Sequence, residues 1–257
     1  MIGIIGGTGI YDPKSVKEIA VKKVETPYGD APEIKIVEFN GKRVAFLPRH
    51  GKSHAIPPHR INYRANIYAL KEVGVDRIIS TNSVGCISDF LSPADIVIPH
   101  DFLDFTKGRE STFYDERVVH VDVSAPYCPE IRNALIKAAA TASKNVFSNG
   151  VYACTQGPRF ETPSEIRMIK TLGGDVVGMT GVPEVVLARE KEICYGSVCI
   201  VANFAAGISE EKLTATEVQE IVKKNEGMLR KIITGAVEDI PEGHECACAR
   251  ALEGAEA

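Results

Sequence analysis

Two segments of the 257-residue chain combine residue types that suit the binding of an anion. The first, Gly6-Gly7-Thr8-Gly9, directly follows an apolar run at the N-terminus, and the second contains Arg49 and His50. Glycines let backbone N–H groups approach an oxyanion, and the Thr8 hydroxyl can donate a hydrogen bond to it. Arg49 offers a planar fork that suits two phosphate oxygens, and His50 adds a further donor. Together these segments predict a phosphate-binding site.

Each segment also has an alternative interpretation. The glycine segment could be a dinucleotide-binding turn, but that pattern requires glycine at position 12, where the chain has Asp12 followed by Pro13. It could also be an ordinary tight turn, and the Arg49 segment could be a solvated basic loop. The nearby histidines do not favour a zinc site, because no cysteine or carboxylate stands beside them.

Two further polar segments could supply donors to the same anion. Asn82 and Ser83 follow an apolar run, and the Ser83 amide and hydroxyl are both donors. Thr180 precedes a predicted helix, whose N-terminal end would favour negative charge. The alternative for Asn82 and Ser83 is an ordinary turn between a strand and a loop.

Two other segments have the composition of a site for a flat heterocycle. Phe160 could stack on a ring, and the adjacent Glu161 carboxylate could accept a hydrogen bond from a ring N–H. Asn203, in the segment ANFAAG, could bind the edge of a base. Alternatively, Phe160 is a core residue and Asn203 a turn residue.

The elements that position these segments alternate between strands and helices along the chain. Helices are predicted over 62–73, 129–144 and 214–239, and others begin at the capping box of Thr162 and Glu165 and at Pro183. The pattern predicts one α/β domain, with a twisted, mixed and largely parallel sheet flanked by helices. Ligands bind at the carboxyl ends of strands in such sheets. The apolar runs predict strands over 2–5, 43–47, 77–81, 95–98, 151–155, 175–179 and 195–202.

The composition argues against several classes of protein. The formal net charge is −4, without a long run of one sign, so we expect no nucleic-acid partner. No apolar stretch is long enough to span a bilayer, and the N-terminus lacks the positive region of a secretory signal. We therefore expect no membrane partner and a cytoplasmic location.

The domain is expected to cover residues 1–240, followed by a C-terminal tail over 241–257. The tail contains His244, Cys246 and Cys248, whereas the other cysteines mostly lie in apolar runs and are expected to act as small hydrophobic residues. The tail could bind a metal, form a disulfide or do neither. One histidine and two cysteines are too few ligands for a zinc site, so we expect a solvent-exposed tail without a metal.

Taken together, the motifs resemble those of the purine nucleoside phosphorylase and methylthioadenosine phosphorylase family, from residue 1 to about 240. The resemblance implies the fold of that family and a pentosyltransferase that cleaves a purine nucleoside with inorganic phosphate. It implies no metal and no organic cofactor, since phosphate is a co-substrate. The motifs, in the order of the family, are GGTG, PRHG, TNSVG, QGPRFET, GMTGVPEVVLARE and ANFAAG.

The resemblance also assigns roles to individual residues. Phe160 would lie against the base, Met179 against the ribose hydroxyls, and Asn203 at the N7 edge of the purine, with Ala205 beside it. His120 would reach the sugar end of a neighbouring subunit's site, which implies a homotrimer or a homohexamer. Arg49, His50 and Asn203 would be catalytic. The implied phosphate site consists of Thr8, Arg49, His50, Asn82, Ser83 and Thr180.

The base edge distinguishes two branches of the family. Adenine-specific members carry T-D-x-D at the last strand, whereas this chain has ANFA there. The 6-oxopurine enzymes carry an asparagine at that strand and a glutamate after GPxF, which match Asn203 and Glu161. A carboxylate at Glu161 accepts from N1–H of hypoxanthine or guanine, and Asn203 can donate to O6. The sequence therefore favours a 6-oxopurine.

The sugar end is predicted from Ala215 and Val218, which align with apolar residues that contact a 5′-methylthio group. This favours S-methyl-5′-thioinosine, with inosine and guanosine as further substrates, unless the two residues merely pack their helix. Three alternatives stay open. They are an S-methyl-5′-thioadenosine phosphorylase, a hydrolytic nucleosidase, and a purine-binding regulator without turnover.

Overall fold

The computed structural model describes residues 1–6, 17–39, 41–143, 145–210 and 213–256. Strands and helices alternate over most of this range, as the sequence pattern predicts. The strands are β1 (Ile2–Gly6), β2 (Lys17–Lys22), β3 (Glu25–Thr26), β4 (Gly29–Asp30), β5 (Ile34–Phe39), β6 (Lys42–Pro48), β7 (Arg77–Cys86), β8 (Ile96–Phe105), β9 (Val146–Thr155), β10 (Val176–Gly178) and β11 (Cys194–Phe204). The helices are α1 (Tyr63–Glu72), α2 (Pro129–Ala142), α3 (Pro163–Thr171), α4 (Glu184–Glu190) and α5 (Ala215–Asp239).

A nine-stranded mixed sheet forms the centre of the fold, in the order β10-β9-β8-β11-β7-β1-β6-β5-β2. Parallel pairs join β6 to β1, β1 to β7, β7 to β11, β8 to β9 and β9 to β10. β8 runs antiparallel to β11, and β10 also pairs antiparallel with β7. This last pairing closes β7, β11, β8, β9 and β10 into a ring. The predicted mixed α/β sheet is confirmed.

Helices cover both faces of the sheet. Residues of α1 and α4 belong to one buried apolar cluster, and residues of α2 and α5 belong to a second on the other face. The predicted capping box at the start of α3 is confirmed, because the Thr162 hydroxyl accepts from the Glu165 amide and the Glu165 carboxylate accepts from the Thr162 amide. In the described part of the chain, no helix has the length and apolarity to cross a membrane.

Several features of the sheet differ from the sequence prediction. β7 continues to Cys86, so Asn82 and Ser83 lie inside a strand rather than in a loop after it. The residues of β7 after position 81 still pair with β11, so the strand continues beyond its predicted end. Strands β2, β3, β4 and β5 were not predicted. β3 and β4 have only two residues each, and β2 is an edge strand with no buried residue and a short apolar run of three. β5 is largely buried, but Lys35 and Glu38 interrupt its apolar residues.

The expectation of a solvent-exposed C-terminal tail is wrong. Cys248 and Ala255 are buried, and Glu256 forms a β-bridge with Val119. At the end of α5, the Lys42 ammonium donates to the carbonyl oxygens of Val237, Glu238 and Ile240 at 2.8 to 2.9 Å. The segment after α5 therefore packs on the body of the protein.

Candidate active site

A cavity of about 300 Å³ opens where the sequence motifs converge. Its wall includes residues from β7, β10, β11 and α5, together with the segments that follow β6 and β9. It therefore lies at the edge of the sheet where the predicted site was expected. The predicted residues that line it are Arg49, His50, Asn82, Ser83, Phe160, Glu161, Met179, Thr180, Asn203, Ala205 and Val218.

Three predicted site residues are not among the described residues that line the cavity. Thr8 lies outside the described residues. Ala215, the first residue of α5, is exposed and stands outside the described wall. His120 is also exposed and lies elsewhere on the same chain, where its backbone N–H donates to the Ala255 carbonyl oxygen at 2.8 Å.

Arg49 is almost fully buried and is already engaged by protein groups. Its Nε and Nη2 atoms donate to the two carboxylate oxygens of Glu184, each at 2.8 Å. Nη2 also donates to Ser80 Oγ, and Nη1 donates to the Thr81 carbonyl oxygen. The expectation that the fork faces two phosphate oxygens is wrong, because Glu184 occupies it. One N–H on Nη1 is left to reach an anion.

The contact with Glu184 also keeps the Arg49 guanidinium charged. Burial alone would lower the pKa of Arg49, but the Glu184 carboxylate raises it instead, so the guanidinium stays charged. Glu184 is itself fully buried and also accepts from the Tyr195 hydroxyl at 2.7 Å. Sequence reasoning missed Glu184, although it belongs to the motif GMTGVPEVVLARE.

His50 is held as a neutral imidazole. Its Nδ1 lies 2.8 Å from the Ile56 carbonyl oxygen, and a carbonyl only accepts, so Nδ1 carries the proton. Burial, aided by the positive charge of Arg49, lowers the pKa of His50 from 6.5 to about 4. Near neutral pH, Nε2 therefore carries a lone pair. The expectation that His50 adds a donor is corrected, because in this state its remaining nitrogen is an acceptor.

Asn82 connects several buried hydroxyl groups rather than facing the cavity with a free amide. Its Nδ2 donates to Ser80 and Ser197, and its Oδ1 accepts from the Thr180 hydroxyl at 2.7 Å. The Thr180 backbone N–H points to the Tyr152 hydroxyl. In this arrangement Thr180 offers the cavity only hydroxyl lone pairs, whereas Ser83 is exposed to it.

Phe160 and Glu161 lie together on the wall, as the heterocycle prediction expects. The Thr155 hydroxyl at the end of β9 donates to Glu161 Oε1 at 2.5 Å, which fixes the carboxylate and leaves Oε2 to accept from a ligand. Phe160 is 37% exposed, so it is not a core residue. A ring against Phe160 would thus have a fixed acceptor beside its edge.

Asn203 stands near the end of β11 and is buried. Its Nδ2 donates to the Phe204 carbonyl oxygen at 2.7 Å, which uses one of the two amide hydrogens and orients the side chain. The second hydrogen and Oδ1 stay available to the cavity. The side chain can therefore donate to one atom of a base and accept from its neighbour.

Arg109 links the two loops that carry Glu161 and Thr180, and sequence reasoning missed it. Its guanidinium donates to the carbonyl oxygens of Thr155, Gln156, Met179 and Val182 at 2.6 to 3.2 Å. It also donates to Gln156 Oε1 and to the Tyr63 hydroxyl. Arg109 belongs to none of the motifs. Its partners are mostly backbone carbonyl oxygens that are distant in the sequence, so no local pattern marks it.

The side of the cavity formed by α5 and the residues before it is mainly apolar. Leu213, Val218, Val222 and Leu229 line it, and Glu226 is a polar group on the same side. The Glu226 carboxylate lies 3.7 Å from Arg230, one turn further along the helix. Val218 was predicted to line this region, whereas Glu226 was not predicted.

A model of the Phosphorylase superfamily matches residues 1–238. The chain belongs to the Phosphorylase superfamily. This confirms the family to which the sequence motifs pointed, and the match covers nearly all of the segment from which they come.

Two curated relatives and one solved structure show how similar this phosphorylase is to others. It is 55% identical over 257 residues to the "Probable S-methyl-5'-thioinosine phosphorylase" of Methanothermobacter thermautotrophicus, covering 100% of this chain and 90% of the relative. It is 51% identical over 263 residues to the "6-oxopurine nucleoside phosphorylase" of Pyrococcus furiosus, covering 99% and 98%. A methylthioadenosine phosphorylase from an antarctic soil metagenomic library matches with a TM-score of 0.94 and 37% identity, covering 100% and 92%.

These similarities also establish the class of enzyme. The relatives and the structural neighbour carry the names of nucleoside phosphorylases, so this phosphorylase is a pentosyltransferase. The predicted nucleoside phosphorylase fold is confirmed by the structural match over the whole chain.

Proposed function

We propose that this phosphorylase cleaves the glycosidic bond of a 6-oxopurine nucleoside with inorganic phosphate, and that S-methyl-5′-thioinosine is its preferred substrate. The products are hypoxanthine and 5-methylthioribose 1-phosphate, with inosine and guanosine as further substrates. The observation that carries this proposal is the pairing of Glu161 and Asn203 on one cavity wall, each oriented by a neighbouring group.

The base edge of a 6-oxopurine complements these two side chains. Glu161 Oε2 accepts from N1–H, and the remaining Asn203 amide hydrogen donates to O6, while Asn203 Oδ1 accepts from N7 once that nitrogen is protonated. Adenine would present a lone pair at N1 to the carboxylate and an amino group to the amide. The match of donors to acceptors therefore supports the 6-oxopurine branch over S-methyl-5′-thioadenosine.

The phosphate is held below the sugar by the groups at the other end of the cavity. The Ser83 hydroxyl and the remaining Arg49 N–H donate to its oxygens, and His50 Nε2 accepts from the P–OH group of hydrogen phosphate. As the glycosidic bond breaks, the sugar becomes cationic and the purine gathers negative charge, as in other glycosyl transfers. The bound phosphate stabilises that cation and then attacks the anomeric carbon.

The apolar wall on α5 supports a methylthio group at the 5′ position. Val218, Val222 and Leu229 offer it contact surface and no hydrogen-bond partner. Glu226 on the same side could accept from a 5′-hydroxyl, which is consistent with inosine and guanosine as further substrates. Ala215 has no part in this proposal, because it is exposed and outside the described wall.

The site is completed by a second copy of the chain. His120 is exposed and stands away from the cavity of its own chain, so it is free to reach a neighbour's sugar end. A homotrimer, or a hexamer of two trimers, would place it there. The proposed reaction needs phosphate as co-substrate and no metal or organic cofactor, and we expect it to take place in the cytoplasm.

The proposal is tested by a panel of S-methyl-5′-thioinosine, inosine, guanosine and S-methyl-5′-thioadenosine, each assayed with phosphate for release of free base. We expect kcat/KM to be largest for S-methyl-5′-thioinosine. Equal or faster cleavage of S-methyl-5′-thioadenosine would contradict the assignment of the base edge. A higher kcat/KM for inosine would contradict the assignment of the methylthio pocket alone.

A further inference from the structure

Four cysteine thiols meet at one point, at the end of β11 away from the nucleoside cavity. They are Cys128, Cys194, Cys246 and Cys248, and their sulfur atoms all lie within 4.8 Å of one another. The Cys246 sulfur is 3.7 Å from that of Cys128 and 3.3 Å from that of Cys194. All four are free cysteines, three of them buried and Cys246 half-buried.

These thiols come from three separate parts of the fold. Cys128 stands at the N-cap of α2, Cys194 is the first residue of β11, and Cys246 and Cys248 belong to the C-terminal segment. β11 extends from Cys194 at one end to Asn203 near the other. The sulfur cluster and the nucleoside cavity are therefore at opposite ends of the same strand.

We propose that these four cysteines bind one zinc ion in a tetrahedral site with a structural role. Four thiolates around zinc, with Zn–S bonds of about 2.3 Å, place sulfur atoms about 3.8 Å apart. The distance of 3.7 Å between the Cys128 and Cys246 sulfur atoms lies close to this spacing, and the distance of 3.3 Å between Cys194 and Cys246 is somewhat shorter. Soft thiolate ligands in a tetrahedral set select zinc over the hard divalent cations, which prefer oxygen.

The groups around the sulfur atoms suit a metal centre with thiolate ligands. His244 Nδ1 lies 3.4 Å from the Cys194 sulfur, and its Nε2 lies 3.4 Å from Arg77 Nη1. Nε2 also lies 3.3 Å from an Asp76 carboxylate oxygen. In the tautomer that carries the proton on Nδ1, Nε2 accepts from Arg77 and the Nδ1–H group donates to the sulfur, as outer-shell donors do around metal ligands. The buried Arg77 side chain thus stands near a centre whose ligands would carry excess negative charge.

A zinc ion in this site would fix the C-terminal segment and would stabilise the parts of the fold that this segment contacts. Beyond the cluster, Glu256 pairs with Val119, and the Ala255 carbonyl oxygen accepts from the His120 amide. Before the cluster, the segment continues from α5, whose residues line the nucleoside cavity. Zinc at this point would therefore anchor the middle of the C-terminal segment, between the end of α5 and the contact with the His120 segment.

The test uses the full chain, purified without chelator and analysed for metals by inductively coupled plasma mass spectrometry. We expect one zinc per chain, and less than about a tenth of that in the Cys246→Ser/Cys248→Ser variant, because binding requires the complete set of thiolates. The Cys86→Ala variant is the matched control, since Cys86 is also buried but lies outside the cluster, and it should keep its zinc.

A second measurement does not depend on any variant folding. Replacement of zinc by cobalt(II) in the wild-type chain should give intense thiolate-to-cobalt charge-transfer bands and the visible bands of a tetrahedral ion. The proposal is overturned if the protein contains no zinc and mass analysis after alkylation shows these cysteines paired in disulfides. It is also overturned if the cobalt spectrum lacks thiolate bands.

Discussion

Glu184 binds one edge of the Arg49 guanidinium with both carboxylate oxygens, which lie 2.8 Å from Nε and 2.8 Å from Nη2. Both side chains are almost completely buried, at 3% and 0% exposure. Such a pair compensates two charges that would each be costly to bury alone. Arg49 therefore presents the cavity with a positive charge and a single N–H rather than an open fork.

The change of Glu184 to Gln should destabilise the protein strongly. It leaves the guanidinium buried without its counter-charge, and loss of one partner of a buried pair costs about 3–5 kcal/mol. Urea unfolding at neutral pH measures this change. As a control, Glu256→Gln removes one partner of the exposed pair with Arg117 and should cost only about 0–1 kcal/mol. Equal losses in the two variants would contradict the importance of the Arg49–Glu184 pair.

The base preference should shift when Asn203 is changed to Asp. An ionised aspartate cannot donate to O6, and an unpaired buried polar group costs about 1–3 kcal/mol, or roughly 5- to 150-fold. The ratio of kcat/KM for S-methyl-5′-thioinosine to that for S-methyl-5′-thioadenosine should therefore fall by at least about fivefold. Asn149→Asp, a change of an exposed asparagine outside the cavity wall, should leave the ratio unaltered. An unchanged ratio in Asn203→Asp would refute the proposed contact with O6.

Acid should destabilise the protein through His50 and His54, whose rings stack 4.2 Å apart. Burial lowers the pKa of both, that of His50 from 6.5 to about 4. Between these values the unfolded chain binds protons that the folded chain does not, so the free energy of unfolding decreases as the pH falls from about 6.5 to about 4. Urea unfolding at several pH values should show a smaller decrease in His50→Gln/His54→Gln than in the wild type. A steeper acid loss in that variant would contradict the neutral state of these histidines.

Arg109 should act on catalysis as a positioning residue. Its donors hold the backbone of the loops that carry Glu161 and Thr180, and small displacements of reacting groups can cost about 100-fold in rate. We expect Arg109→Lys to keep its fold by circular dichroism but to lose about 10- to 100-fold in kcat. Steady-state kinetics under saturating phosphate measures the loss. A change in KM alone, with kcat intact, would mean that Arg109 serves binding and not the alignment of the two loops.

The preference of the enzyme for a methylthio group at the 5′ position should depend on Val218 and not on Ala215. The change Val218→Asn places a polar group on the apolar wall, and one lost apolar contact costs about 1–3 kcal/mol, or roughly 5- to 150-fold. The preference for S-methyl-5′-thioinosine over inosine should fall accordingly. Ala215→Asn is the matched control, because Ala215 is exposed at the start of α5 and does not line the described wall. A similar effect of both changes would contradict the proposed methylthio pocket.

The sequence predicted the location of the site well, for a physical reason. Segments that follow parallel strands emerge at the same edge of a sheet, so the motifs around Arg49 and Asn203, after β6 and at the end of β11, had to converge once the strands were recognised. Thr180 follows β10, which runs antiparallel to β7, and it reaches the site because the pairing of β10 with β7 closes the sheet into a ring. The predicted positions of α3 and α5 also hold, since a capping box and a long apolar stripe are local signals. Local sequence patterns were therefore sufficient to predict the fold and many of the residues that line the cavity.

What the sequence could not predict depends on contacts between distant residues. Glu184, which binds Arg49 Nε and Nη2, is 135 positions away from it in the sequence. The position of the proton on the His50 ring is fixed by the backbone carbonyl group of Ile56. The sequence gives no sign that Cys128 and Cys194 join the C-terminal cysteines, because they lie 118 and 52 positions before Cys246. No sequence motif links these residues to their partners, so only the folded chain brings them together.

The most direct test of the account is the phosphate requirement of the purified enzyme. S-methyl-5′-thioinosine is incubated in buffer freed of phosphate and then with phosphate added, and phosphorus NMR follows the sugar product. The account predicts that hypoxanthine appears only after phosphate is added, in equal amount to 5-methylthioribose 1-phosphate. Release of hypoxanthine at the same rate without phosphate, together with free 5-methylthioribose, would contradict it.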